Sequence, residues 1–103
     1  MANIVRVFRA TIKPGKEEAF RAFFIDDAIP ILRSHKGLVS VQVGVPRNET
    51  PQEFLMVTTW SSLEAMIEFT GENWREAVID EREADLIAET NVYHYSEALP
   101  KAE

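Results

Sequence analysis

Ile4-Val5-Arg6-Val7-Phe8-Arg9-Ala10-Thr11-Ile12-Lys13-Pro14-Gly15-Lys16 is the stretch on which the fold turns. β-Branched and aromatic side chains crowd its first nine positions, and then proline presets φ while glycine supplies a positive φ. The pattern predicts a strand over Ile4–Ile12 closed by a tight turn. Alternate residues of a strand face opposite ways, which sorts Val5 and Val7 from Ile4, Arg6, Phe8, Ala10 and Ile12. Neither set is a solvent face, so both sides of this strand need a cover.

Working outward, Glu17–Ser34 carries apolar residues at helical spacing (Ala19, Phe20, Phe23, Phe24, Ala28, Ile31, Leu32), with Pro30 expected to kink or divide the helix. Gly37 reads as a stop. Leu38–Val45 is a second strand with Val39, Val41, Val43 and Val45 at period two, Pro46–Gln52 a polar connection, and Phe54–Trp60 a third strand. Ser61-x-x-Glu64 has the form of a capping box opening a helix from Leu63 to about Phe69. Gly71-Glu72-Asn73 interrupts it. A further helical turn over Trp74–Ile79, a charged helical segment over Glu81–Glu89 with Leu86 and Ile87 inward, and a last strand from Val92 to about Glu97 complete the reading. The tail from about residue 98 is expected to fray. The order β-α-β-β-α-(α)-β is an α+β, ferredoxin-like arrangement with a four-stranded antiparallel sheet, a single domain over 1–103.

Size and composition narrow the function. A chain of 103 residues leaves no room for a second domain. A net charge of −6 opposes a phosphate-binding surface, so no nucleic-acid partner is expected. The absence of cysteine excludes disulfides, thiolate metal sites and cysteine nucleophiles. No run approaches the roughly 20 apolar residues of a membrane span, and the first strand is no signal peptide. The expectation is a cytoplasmic protein without a membrane partner, whose sequon Asn48-Glu49-Thr50 is a turn and not a glycosylation site.

The strand faces point to self-association. Parity puts the valines of strand two under the helices together with Val5, Val7, Leu55 and Val57. It leaves Ile4, Phe8, Ala10, Ile12, Phe54, Met56, Thr58 and Trp60 around a single charge, Arg6, on the other face. So apolar a face is an interface or a ligand pocket. The helices are too few to cover both sides, so a homodimer through the sheet face is expected, enclosing a small cavity.

Several segments carry a resemblance. Val5 to Glu17, Trp60-Ser61-Ser62-Leu63-Glu64-Ala65, Asn73-Trp74-Arg75-Glu76-Ala77 and Val92-Tyr93-His94-Tyr95 are similar to the corresponding parts of antibiotic biosynthesis monooxygenase domains, over nearly the whole chain. The resemblance implies a dimeric α/β barrel with a pocket between each sheet and its helices. It also implies a range of functions, since members include cofactor-free oxygenases, haem-degrading enzymes and proteins without known activity. Haem-degrading members use a strand-one asparagine and a helical histidine ligand. Phe8 stands at the first of these positions, and the residues near Ala77 and Val78 include no histidine. No cofactor and no metal are therefore expected.

Within that frame the candidate catalytic residues are His94 and Arg6, and the candidate substrate-binding residues are Trp60, Trp74, Phe8, Met56 and Tyr95. Each has two readings. His94 is a general base near neutral pH or a hydrogen-bonded histidine in a polar patch. Arg6 holds a phenolate or carboxylate, or pairs with an acid across a dimer. Trp60 stacks on a planar ligand or closes a strand-to-helix junction. Trp74 is a lid or a packing anchor, and Tyr95, which points away from His94, supplies a pocket hydroxyl in its place if its face is the pocket face, a choice that strand parity leaves open. His35 reads as a helix C-terminal residue and Asp80–Asp85 as a solvated helix face. The expected function is a cofactor-independent monooxygenase oxidising a planar phenolic or quinol-like molecule with dioxygen. The alternative is a non-catalytic small-molecule-binding or structural barrel protein.

Overall fold

In the computed structural model, which describes residues 2–98, the first strand (β1) spans Ile4–Ile12 as its composition predicts. The turn after it closes with Lys16 N–H donating to the Lys13 carbonyl at 3.0 Å, and Gly15 takes φ of 84°. The next helix runs through Pro30 without a break: α1 (Glu17–Ala22), a π-helical segment (Phe23–Ala28) and α2 (Ile29–Arg33) are continuous. A proline ring clashes with the carbonyl four residues back in a regular α-helix, and the wider π turn just before Pro30 gives that clash room.

β2 (Leu38–Gly44) and β3 (Glu53–Trp60) follow, then α3 (Leu63–Thr70). The N-cap of α3 is Ser62 and not the Ser61 of the expected capping box. Ser62 Oγ accepts from Ala65 N–H at 3.1 Å, and Gly71 ends the helix with φ of 80°. Two expectations fail beyond this point. Trp74–Ile79 forms a turn and irregular chain, not a helical turn. The third helical segment is only the four-residue α4 (Glu81–Ala84), and the last strand, β4 (Ile87–Ser96), begins five residues before Val92. Pairing with the central strand, from Ile12↔Ile87 to Ile4↔Ser96, draws this polar sequence into the sheet against its local helical character. The frayed tail lies almost wholly outside the described residues.

The sheet order is β2-β3-β1-β4 with antiparallel pairs throughout, so the α+β ferredoxin-like arrangement is the observed one. The assignment of faces, however, is reversed. Phe8, Ala10, Ile12, Phe54, Met56 and Trp60 are the buried set, packed under Phe20, Phe24, Leu32 and Met66 of the helices. Register explains the error: Val41 pairs with Thr58 and Val43 with Met56, so the β2 valines stand beside the phenylalanine face and not beside Val5 and Val7. A bulge between Leu38 and Ser40 turns Val39 outward. The side of the sheet without helices carries Val5, Val7, Leu55, Val57, Tyr93 and Tyr95.

Candidate functional site

A cavity of about 340 Å³ lies between the helix-covered sheet face and the helices. Phe8 on β1 with Met56 and Thr58 on β3 form its floor. Phe23, Phe24, Ala28, Ile31 and Leu32 form the helical wall, and Phe69 of α3 closes one side. Its rim is the segment Val78-Ile79-Asp80 with Glu83 of α4. The lining is predominantly apolar with a few polar groups, the composition of a small-molecule pocket.

Arg6 is the charge on this floor. It stands on the central strand between Thr58 and His94 by register and is only 4% exposed. Its Nη1 donates to the Trp74 carbonyl at 2.6 Å and contacts His94 Nε2 at 2.9 Å, while Nη2 donates to the Glu76 carbonyl at 3.0 Å. Burial lowers its pKa to about 10, so the guanidinium remains charged at neutral pH. These bonds tie the 74–76 turn to β1, an interior strand of the sheet.

Trp74 therefore acts here through its carbonyl. Its ring sits edge-on to His94 at 4.9 Å, with the Arg75 guanidinium 4.1 Å from the ring centre, and does not line the cavity. His94 is likewise behind Arg6 and not in the wall. A guanidinium donates only, so His94 Nε2 must accept and the ring is neutral with its proton on Nδ1. Burial, then the Arg6 and Arg75 charges, lower the His94 pKa. The lone pair that a general base would use is engaged by Arg6.

Of the expected substrate-binding residues, Phe8 and Met56 line the cavity together with Arg6. Trp60 does not. It is wholly buried, its Nε1 donates to Thr58 Oγ1 at 2.9 Å, and its ring stacks on Phe69 at 5.5 Å with His35 edge-on to both. It orients Thr58 and Phe69, which do line the cavity, and His35, two residues past the end of α2, takes part in this aromatic packing. Tyr95 pairs with Val5 and stands on the opposite sheet face, 55% exposed, so strand alternation keeps it away from the cavity.

The residue missed by sequence reasoning is Glu83. The run Asp80–Asp85 looked like a solvated helix face, yet Glu83 is 5% exposed and lines the cavity. Desolvation raises its pKa to about 7. Its neighbour Arg82 holds it there: Arg82 Nε donates to Asp80 Oδ1 at 3.1 Å, Nη1 lies 3.6 Å from Asp27 Oδ2, and the guanidinium lies 5.0 Å from the Phe23 ring centre. These contacts clamp α4 onto the π-helical segment. A signal existed, since Glu83 falls between Ile79 and Leu86 at helical spacing, on the inward face of its segment. Among the described residues, no three histidine, aspartate or glutamate side chains come together as metal ligands, and no helix is long and apolar enough to cross a membrane.

Comparison with solved structures places this geometry among similar folds. Protein SO0527 of Shewanella oneidensis superposes with a TM-score of 0.78 at 23% identity, covering 93% of this chain and 91% of that one. A Bordetella bronchiseptica protein named as a candidate antibiotic biosynthesis monooxygenase gives 0.73 at 23% identity, over 96% of this chain and all (100%) of that one. A conserved protein of Methanosarcina mazei gives 0.76 at 19% identity, over 95% of each chain. A search of curated protein sequences finds no match. The family model for antibiotic biosynthesis monooxygenase matches residues 3–80, from β1 through the Arg6-bound turn to the cavity rim, and the chain belongs to that family.

Proposed function

We propose that the cavity binds a planar phenolic or quinol-like molecule and that the protein oxidises it with dioxygen as a monooxygenase without flavin, metal or haem. The observation that carries this reading is a buried, charged Arg6 on the floor of a predominantly apolar cavity. An aromatic ligand fills such a space by its rings. Its oxygen, once negative, finds a fixed cation in a site with little water to compete, where electrostatic stabilisation is strongest. A ring methylene conjugated to that oxygen can then pass electrons to dioxygen. One oxygen atom enters the substrate as a carbonyl, and the other leaves as water with the two methylene hydrogens.

Oxygen consumption with an anthrone or a dihydroxynaphthalene, in chelator-treated buffer without flavin, tests the reading. Protein-dependent uptake with formation of the quinone product supports it. No uptake across a broad phenol panel overturns it and leaves a binding role for the cavity.

The same proposal includes a homodimer, formed through the helix-free side of the sheet. Val7 beside Val57 and Val5 beside Tyr95 make a side that is apolar at its centre and leaves large apolar surface in water in the single chain. A monomeric mass by light scattering at micromolar concentration would refute it.

A further inference from the structure

Arg6 and Glu83 face one cavity without forming an ion pair. Among the described residues the Glu83 carboxyl takes part in no salt bridge or side-chain hydrogen bond, whereas its neighbour Asp80 is occupied by Arg82. Among the described residues no polar side-chain atom is sealed away without a partner, and Glu83 is one of the residues that line the cavity. On Arg6, the three bonds described above leave an Nη2 N–H and the Nε–H. A carboxylate already paired with an arginine is a weak base. Here the two groups sit on different elements, α4 and β1, and both remain available to a ligand.

We propose that Glu83 is the proton acceptor of this cavity, and that the ligand is a conjugated acid whose proton leaves at Glu83 while the negative charge comes to rest at Arg6. In the step, a ring C–H bond breaks and its proton forms an O–H bond with the Glu83 carboxylate. The electron pair stays in the ligand and moves through the ring to an oxygen at the far end, where Arg6 holds it. Nothing is oxidised in this step. Two groups on different elements of one cavity suit a ligand whose acidic hydrogen and charge-bearing oxygen are at opposite ends of a ring, whereas a simple carboxylate would need Arg6 alone.

The surroundings suit a base working near neutral pH. The groups that bear on Glu83 are the Asp80 backbone, the Asp80 charge and the Arg82 charge, all of its own segment. Asp27 of the π-helical segment is turned to Arg82, His94 lies behind Arg6, and the helical wall itself is apolar. Desolvation holds the Glu83 pKa at about 7, so the proton-accepting form is well populated above that pH.

The proposal deepens the oxygenase reading, and its test separates the two. Exchange of the anthrone methylene hydrogens in deuterium oxide under argon, followed by proton NMR, reads the proton step without dioxygen. The wild-type protein is expected to accelerate exchange, with a rate that rises through pH about 7 and levels above it. Glu83→Gln is expected to lose on the order of 100-fold of that rate together with its pH dependence. Glu83→Asp, which keeps a carboxyl, is expected to recover part of the rate and a sigmoidal profile. Wild-type rate and profile in Glu83→Gln would overturn the proposal, and so would the absence of any acceleration by the wild-type protein. Exchange under argon without oxygen uptake in air would uphold Glu83 and sink the oxygenase. Uptake that survives Glu83→Gln unchanged would do the reverse.

Discussion

Arg6 Nη1 lies 2.9 Å from His94 Nε2, and because a guanidinium has no lone pair to offer, the contact fixes the histidine as a neutral acceptor protonated at Nδ1. The two residues are register partners on β1 and β4, so the sheet itself enforces the pairing. The folded state therefore resists protonation of His94. Its pKa lies below the ordinary value of 6.5, chiefly through burial and then through the Arg6 and Arg75 charges. With a depressed folded pKa, the unfolded chain takes up the proton first as pH falls. The stabilisation is present above pH 6.5 and is lost as pH falls through the lowered value. Denaturation of the wild-type protein at pH 7.5 and 5.5 is expected to show a loss that His94→Gln does not share. Nitrogen NMR should show the Nδ1–H tautomer at neutral pH, and an imidazolium at pH 6.5 would contradict the pairing.

Glu83 produces the opposite slope. Its folded pKa is about 7 against an ordinary 4.5, so between these values the folded state holds a proton that the unfolded chain has released. Any stability tied to that proton is complete below pH 4.5 and is lost as pH rises through 7. Glu83→Gln abolishes the term. After allowance for solvent reaching the carboxyl through the cavity, the variant is expected to gain about 1–2 kcal/mol over wild type between pH 4.5 and pH 8. Urea midpoints for both proteins at the two pH values measure it. A constant difference would mean that Glu83 is ionised like an exposed carboxylate.

The central strands were legible because their chemistry is local. Nine positions rich in β-branched and aromatic residues, followed by Pro14-Gly15, define β1 to the residue, and Gly71 ends α3 as a left-handed glycine must. What escaped depends on partners distant in sequence. The face of β2 is set by the pairing of Val41 with Thr58, which alternation within β2 cannot supply. Ile87–Asn91 is a strand only because β1 presents a free edge to it. Gly37 was expected as a helix stop and matters instead because a Cβ there would collide with the Ala65 side chain at the start of α3. The site divides in the same way. Arg6, Phe8 and Met56 follow from strand parity, whereas the burial of Glu83 comes from the Arg82 clamp on Asp27 and Phe23.

The turn at residues 74–76 has no regular secondary structure of its own, and Arg6 is its principal anchor. Replacing Arg6 with methionine keeps much of the side-chain volume but leaves the Trp74 and Glu76 carbonyls without their donor and releases His94. Hydrogen bonds to a charged group contribute about 1.5–3 kcal/mol each, offset here by relief of a buried charge. The expected net loss is about 2–4 kcal/mol of stability. Arg6→Lys should recover only part of this, because one ammonium cannot span two carbonyls and the Nε2 atom as a planar fork does. Amide hydrogen exchange locates the effect: protection over residues 72–80 should fall sharply while that of β1 and β3 changes little. If those residues keep their wild-type protection in Arg6→Met, Arg6 does not hold the rim of the cavity. The rim that carries Glu83 would then have to be positioned by the Arg82 contacts alone.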